Sequence, residues 1–305
     1  MDDTKPAYPS PDIARFIGLY GTDRALLDIY EEGGALFADG CGLTHQPVAA
    51  ATDRLRLSSD HEVVAVVNGV SLAQRDFAGA AVAQFRRAIA TDLARLRADS
   101  LAARPPTQPA LPAQSDLVEI CAVDPGIAID MRYASANNFM GVALYDRAAA
   151  YLQRPAATAL ADAQASLRDR GYRLIVLDAY RPWSVTWLFW QAVPPEARQF
   201  VADPALGSKH NRGCAVDVAL IEIADGTLSE MPSDYDEASG RGSPDYRGST
   251  SRARWHRDLL RRMMEEAGFT VDPHEWWHYD FDDWQSYPVL NMPLALLGSP
   301  HDSQP

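Results

Sequence analysis

The stretch Ser208-Lys209-His210-Asn211-Arg212-Gly213-Cys214-Ala215-Val216-Asp217 sets a histidine and an aspartate seven residues apart, with a glycine between them. From Cys214 to Leu220 the residues alternate in character, which predicts a strand that carries the aspartate. Farther on, Glu275-Trp276-Trp277-His278-Tyr279 puts a glutamate three residues before a second histidine. Two neutral imidazoles and one carboxylate would leave a fourth tetrahedral position open, the arrangement of a catalytic rather than a structural zinc. A single carboxylate against a divalent cation also leaves net positive charge, which acidifies water and polarises a carbonyl. Each fragment alone has a bland reading. A histidine near an aspartate is more often a hydrogen-bonded surface pair, and adjacent tryptophans are usually core aromatics.

Around these fragments the second half of the chain mixes helices and strands. Ala148 to Arg170 is alanine-rich and predicts a helix, and Tyr172 to Leu177 reads as a buried strand. Trp183 to Gln191 predicts a helix that follows Pro182, and Arg252 to Ala267 predicts another that stops at Gly268. Glu275 to Phe281 reads as a final strand. These elements predict an α+β layer, with helices against a largely antiparallel sheet.

The first half differs. Ala25 to Tyr30 and Ala35 to Ala38 flank Glu31-Glu32-Gly33-Gly34, and Val63 to Val67 and Val70 to Leu72 flank Asn68-Gly69; both read as hairpins. From Gly79 to Ala103 the period changes to helical, with Val82, Phe85, Ile89, Leu93 and Leu96 on one stripe. Pro105-Pro106-Thr107-Gln108-Pro109 through Pro112 then suits an extended linker, because proline fixes φ and lacks an amide donor. The expected organisation is a small β-meander domain over 1–78, a helix and proline-rich linker over 79–114, and a catalytic domain over 115–305.

Composition limits the partners. Apolar residues make up 47% of the 305 and charged residues 23%, an ordinary globular balance. A net charge of −13 argues against nucleic acid and anionic membrane surfaces, which reward lysine and arginine. No apolar run nears the roughly 20 residues of a membrane span. Cys41, Cys121 and Cys214 are too few and scattered for a disulfide framework. Met1 to Ser10 has no charged-then-apolar signal segment, so the chain as written reads as cytoplasmic; removal of a signal segment would make it periplasmic or secreted. The oligomeric state is left open.

A third segment, Asp178-Ala179-Tyr180-Arg181-Pro182, changes the weight of the first two. With Ile129-Asp130-Met131-Arg132-Tyr133 and Asn137-Asn138-Phe139-Met140-Gly141, the five segments in this order resemble the D-alanyl-D-alanine dipeptidases of the VanX type. Those belong to the wider group of zinc D,D-peptidases with Ser-x-His-x6-Asp and Glu-x-x-His signatures. The resemblance covers most of the second half. It implies a hedgehog-like α+β catalytic domain with a central antiparallel sheet flanked by helices, one Zn2+, and a small dipeptide substrate.

Residue by residue, the resemblance makes His210, Asp217 and His278 the metal ligands and Glu275 the general base toward water. Arg181 would steady the tetrahedral oxyanion, since a fixed guanidinium aimed at developing charge stabilises the transition state. Its alternative is a salt bridge with Asp178, and both roles can hold together. In Met231-Pro232-Ser233-Asp234-Tyr235-Asp236, Asp236 matches the carboxylate that receives the free ammonium of a dipeptide, although acidic loop residues are usually just solvated. Ser208, Tyr133 and Tyr145 resemble pocket residues, or serve as packing and turn residues. Cys214 sits in a small-residue position that close packing explains better than ligation. His45, His61, His256, His274 and His301 have no partner pattern; His274 reads as a solvent-facing turn residue.

The implied activity is zinc-dependent hydrolysis of D-alanyl-D-alanine or a related D-amino dipeptide. The alternatives are a D,D-carboxypeptidase or endopeptidase on larger peptidoglycan peptides, and a non-catalytic zinc-containing recognition domain. Glu275 speaks against the last, because binding zinc needs no carboxylate base. The first 78 residues faintly resemble small β-meander domains attached to serine hydrolases and to some D-alanyl-D-alanine dipeptidases.

Overall fold

The computed structural model describes residues 4–22, 24–48, 55–58, 64–77 and 79–297. Val63, the expected start of one hairpin strand, lies outside these, as do His61 and His301. The chain forms two compact units, one of residues 1–79 with 230–259 and the other of 80–229 with 260–305.

The first unit begins with a short turn of helix, α1 (Pro11–Ala14), and a four-stranded antiparallel meander. Its strands are β1 (Gly18–Thr22), β2 (Ala25–Glu32), β3 (Ala35–Gly40) and β4 (Leu43–Pro47). β2 and β3 turn at Gly33-Gly34, both at positive φ, as the hairpin pattern predicts. A three-stranded sheet follows, β5 (Leu55–Ser58), β6 (Val64–Val67) and β7 (Val70–Ala73). The turn between β6 and β7 is Asn68-Gly69, with φ of 49° and 81°, the doubly positive pair that matches strand twist in a two-residue loop. Tyr20, Leu27, Ile29, Ala38 and Ala65 are fully buried and anchor this unit's core.

The second unit opens with α2 (Ala80–Ala102), where Ile89 and Leu96 are buried on the expected stripe. The proline-rich stretch after it forms neither helix nor strand, but it is held. Gln108 donates to Val289 O at 2.9 Å and accepts from Val289 N at 2.6 Å. Next come β8 (Leu117–Glu119), α3 (Ile120–Val123), β9 (Ala128–Ile129), β10 (Tyr151–Gln153) and α4 (Arg154–Arg168). The helix expected from Ala148 therefore starts later. Tyr151–Gln153 pairs with β8 as a strand, and Pro155, lacking an amide donor, opens the helix.

The central sheet has the order β13-β14-β12-β11-β9, built from β11 (Tyr172–Asp178), β12 (Ala215–Glu222), β13 (Phe269–Val271) and β14 (His278–Phe281) with β9. Every pairing is antiparallel except that of β9 with β11. α4 packs on β11, and α5 (Trp183–Ala192) packs against α2. α6 (Ser251–Glu266) follows β12 in the chain; the division between the units falls within it, after Leu259. Gly268 ends its last turn at φ 89°. A mixed α and β architecture preceded by strands over 18–73 thus agrees with the expected class.

The last strand is shorter than expected. It begins at His278, and Glu275 to Trp277 form a turn closed by His278 N donating to Glu275 O at 3.1 Å. The reason is geometric: on a strand, residues three apart face opposite sides. Only a turn lets Glu275 and His278 point the same way.

Candidate metal centre

β12 is buried along nearly its whole length, so Asp217 enters the sheet interior as a carboxylate at 2% exposure. Such a group needs a positive or hydrogen-bonding partner, because stripping water from a bare charge is costly. β12 pairs with β14 so that Asp217 stands directly opposite His278. A short 3₁₀ turn over His210–Arg212 supplies the third side chain and ends at Gly213 with φ 67°. A Cβ there would lie 2.4 Å from Leu117 Cδ2, so only glycine allows the turn to pass into β12.

His210 Nε2, Asp217 Oδ1 and His278 Nδ1 converge on one point. They lie 3.0 Å (His210 to His278), 3.0 Å (His278 to Asp217) and 3.3 Å (His210 to Asp217) apart. Tetrahedral bonds of about 2.0–2.2 Å to zinc put ligand atoms roughly 3.3 Å apart, so the three are spaced to share such an ion. The same three residues form a group that could hold a metal ion.

The outer ring nitrogens explain why. His210 Nδ1 faces Ala179 O at 2.7 Å, and His278 Nε2 faces the Asp280 carboxylate at 3.0 Å. Both partners are acceptors, so both outer nitrogens carry the proton and the inner nitrogens of neutral imidazoles present lone pairs. Two lone pairs and a carboxylate oxygen within 3.3 Å repel one another unless positive charge sits among them. Desolvation alone would depress the His278 pKa, but hydrogen bonds donated to the Asp217 and Asp280 carboxylates outweigh it and raise it well above the usual value. Burial alone would raise Asp217, yet His210 and His278 hold it below the ordinary carboxylate range. This arrangement could hold a metal ion in place of the proton on His278.

Glu275 Oε2 lies 3.8 Å from His278 Nδ1, beside the cluster, with 34% of the side chain exposed. Burial pushes its carboxyl up to about 7; His278 and Arg181 pull it down, while Asp217 and Asp272 add to the rise. A carboxyl near neutrality can both take and return a proton at working pH.

Arg181 follows β11, and its backbone N–H donates to His210 O at 3.1 Å, which seats it against the histidine turn. Its Nε and Nη2 both donate to Asp178 Oδ2, at 2.9 and 2.7 Å. The guanidinium carbon lies 4.9 Å from the Phe189 ring centre and 5.3 Å from that of Tyr133. Nη1 takes no part in the pair with Asp178. The salt bridge weighed from the sequence is present, therefore, and it orients the arginine.

The other expected site residues divide. Tyr145 is buried, and its hydroxyl donates to Asp178 Oδ1 at 2.5 Å. Tyr133 is 2% exposed, tilted against Phe189 with ring centres 4.9 Å apart. Ser208 Oγ accepts from His210 N at 3.2 Å, which caps the turn bearing His210. Asp236 belongs to the other compact unit, half-buried, at a φ of 60°. Cys214 is fully buried, and burial pushes its thiol up to about 12, far from the thiolate that binds metal. His274 is exposed, and His256 is buried with Nδ1 on Glu230 O at 2.9 Å.

Three side chains escaped the sequence reading. Asn211 is fully buried and donates to Arg181 O and Thr186 Oγ1 while accepting from Ser208 N, so it braces both segments. Asp280 and Lys209 join at 2.5 Å behind His278. Asp280 sits two residues beyond His278 on a strand, a spacing that could have flagged it.

Comparison with known proteins places most of the second unit in a known family. The family model for peptidase M15, D-ala-D-ala dipeptidase, matches residues 113–291. A D-alanyl-D-alanine dipeptidase of Escherichia coli K12 is 33% identical over 186 residues, 61% of this chain and 95% of that protein. One from Enterococcus faecalis V583 is 30% identical, covering 56% of this chain and 93% of its own. A third, from Streptomyces coelicolor, is 29% identical over 56% of this chain and 94% of its own.

Proposed function

The chain belongs to the peptidase M15 family of D-ala-D-ala dipeptidases, a metallopeptidase family, and from that premise we propose that it hydrolyses D-alanyl-D-alanine or a related D-amino dipeptide with one zinc ion held by His210, Asp217 and His278. The observation that carries the reading is the convergence of three lone pairs within 3.3 Å, with the outer nitrogen of each imidazole already committed to an acceptor.

When bound, the metal acts as a Lewis acid that acidifies water and polarises the scissile carbonyl. Glu275 takes the proton from the attacking water and hands it to the leaving amine as the C–N bond breaks. Arg181, held by Asp178 through Nε and Nη2 and flanked by Tyr133 and Phe189, directs its guanidinium to the oxyanion of the tetrahedral intermediate. Tyr145 serves this step through Asp178. Ser208 holds the His210 turn. The family resemblance assigns Asp236 the free ammonium of the dipeptide, a role that would confine the enzyme to short substrates with an unblocked amino end.

Residues 1–78, outside the matched family segment, act as an added β module that shapes access to the cleft or mediates self-association. A fragment from Ser115 with full activity and the same oligomeric state would remove that role. Among the described residues, no helix is long and apolar enough to cross a membrane.

Hydrolysis of free and N-acetylated D- and L-dipeptides, with and without chelator, tests the reading. Free D-alanyl-D-alanine should be cleaved, chelator should stop it, and the N-acetylated form should be refused. Cleavage of the blocked peptide would favour a D,D-carboxypeptidase. Glu275→Ala should lower kcat by about 10²–10⁴ while zinc stays bound; near wild-type activity in that variant would sink the mechanism.

A further inference from the structure

Asp280 follows His278 by two residues on β14, so the two side chains share one face of the sheet. Its carboxylate is divided between two partners. Oδ1 accepts from His278 Nε2 at 3.0 Å, and Oδ2 accepts from Lys209 Nζ at 2.5 Å. Lys209 immediately precedes His210 and stands at the start of the turn that carries it. One buried carboxylate therefore joins the two chain segments that bear the histidines, on the side of the His278 ring turned away from the cluster. The Asp280 side chain is 10% exposed and that of Lys209 34%, so the pair is only partly open to water and salt. Lys209 is further steadied over the Trp284 ring, 5.5 Å from its centre.

Two consequences follow. The carboxylate fixes the proton on His278 Nε2, which leaves Nδ1 as the lone pair facing His210 and Asp217. The ammonium holds the carboxylate at its post from the neighbouring segment, so the spacing of the two histidines is set before any ion arrives. Preorganisation of this kind raises affinity by reducing what must be ordered on binding.

Resting on the metal-centre reading above, we propose that Lys209 and Asp280 form a positioning clamp that sets the affinity of this centre for its metal ion. Neither residue touches substrate or the reacting atoms.

The test is zinc affinity of the full chain, measured by competition with a chromophoric chelator. Asp280→Asn should weaken zinc binding about 10- to 100-fold, the range seen when an outer partner of a metal-bound histidine is lost. Lys209→Met should weaken it by a smaller factor, and adding it to Asp280→Asn should cause little further loss, since the lysine acts through the carboxylate. Lys209→Arg should restore near wild-type affinity. Circular dichroism of each apo variant checks folding, and Lys209→Met, at a partly exposed position, serves if Asp280→Asn does not fold. Wild-type binding of zinc with equal affinity in Asp280→Asn or Lys209→Met overturns the clamp alone. A wild-type chain that takes up no zinc overturns the centre itself and the clamp with it.

Discussion

Replacing Asp178 with asparagine isolates what holds Arg181. Asp178 has no exposed surface, and its two oxygens serve different partners: Oδ2 accepts two Arg181 N–H groups and Oδ1 accepts the Tyr145 hydroxyl. Asparagine keeps the shape. Its carbonyl can face the arginine while its amide donates to the tyrosine oxygen, which can act as an acceptor. What disappears is the charge opposite a guanidinium at 8% exposure. Charge-assisted hydrogen bonds contribute about 1.5–3 kcal/mol against about 0.5–1.5 for neutral ones. Two such bonds lose about 2–3 kcal/mol together, below the 3–5 kcal/mol or so of breaking a buried pair outright. For a unit of this size, that lowers Tm by about 4–12 °C. Tyr145→Phe removes one charge-assisted bond and should cost about 1.5–3 kcal/mol, and the two substitutions should be non-additive because they share one carboxylate. Thermal unfolding followed by circular dichroism, with dipeptide hydrolysis alongside, gives both readouts; kcat should fall about 10- to 100-fold as the arginine loses its fixed aim. A Tm within about a degree of wild type with kcat within twofold would refute the idea that this carboxylate orients Arg181.

Two further predictions concern the backbone and pH. Gly213→Ala combines a left-handed φ of 67° with a Cβ 2.4 Å from Leu117 Cδ2, and should cost about 2–4 kcal/mol, read as a lower denaturant midpoint with reduced zinc uptake. Asp28, desolvated in the first unit and bonded by Tyr246, has its carboxyl raised to about 6 from 3.8. An acid with a raised folded pKa favours the protonated native state. Its contribution is therefore fully present below pH 4 and is lost as pH rises toward 6, a change of up to about 3 kcal/mol. Asp28→Asn should flatten stability across pH 4–6 and raise it at pH 7, as urea titrations at each pH would reveal; an unchanged slope would contradict the assignment.

The candidate metal ligands could be named from the sequence because their local spacing suggested a cation site and the family resemblance then assigned them. His210 and Asp217 lie on either side of Gly213, and Glu275 and His278 stand three apart. Hairpins at Gly33-Gly34 and Asn68-Gly69 were legible because a turn needing positive φ announces itself in residue type. The strand at Tyr151–Gln153 was not, because an alanine-rich run favours helix locally and only pairing with Leu117–Glu119 overrides it. Nor could the sequence place Glu275 in a turn rather than a strand, for that depends on a hydrogen bond closed within the folded loop.

The sequence by itself determined which residue types could bind a cation and which family the second half resembles. The tertiary structure alone decided that His210, Asp217 and His278 meet within 3.3 Å, that Asp178 is shared between Arg181 and Tyr145, and that Asp280 reaches back to Lys209. Those contacts join residues that are 33 to 71 positions apart for Tyr145–Asp178 and Lys209–Asp280. Spacing along a chain constrains only the first few neighbours, and the register of β12 against β14 fixes the rest.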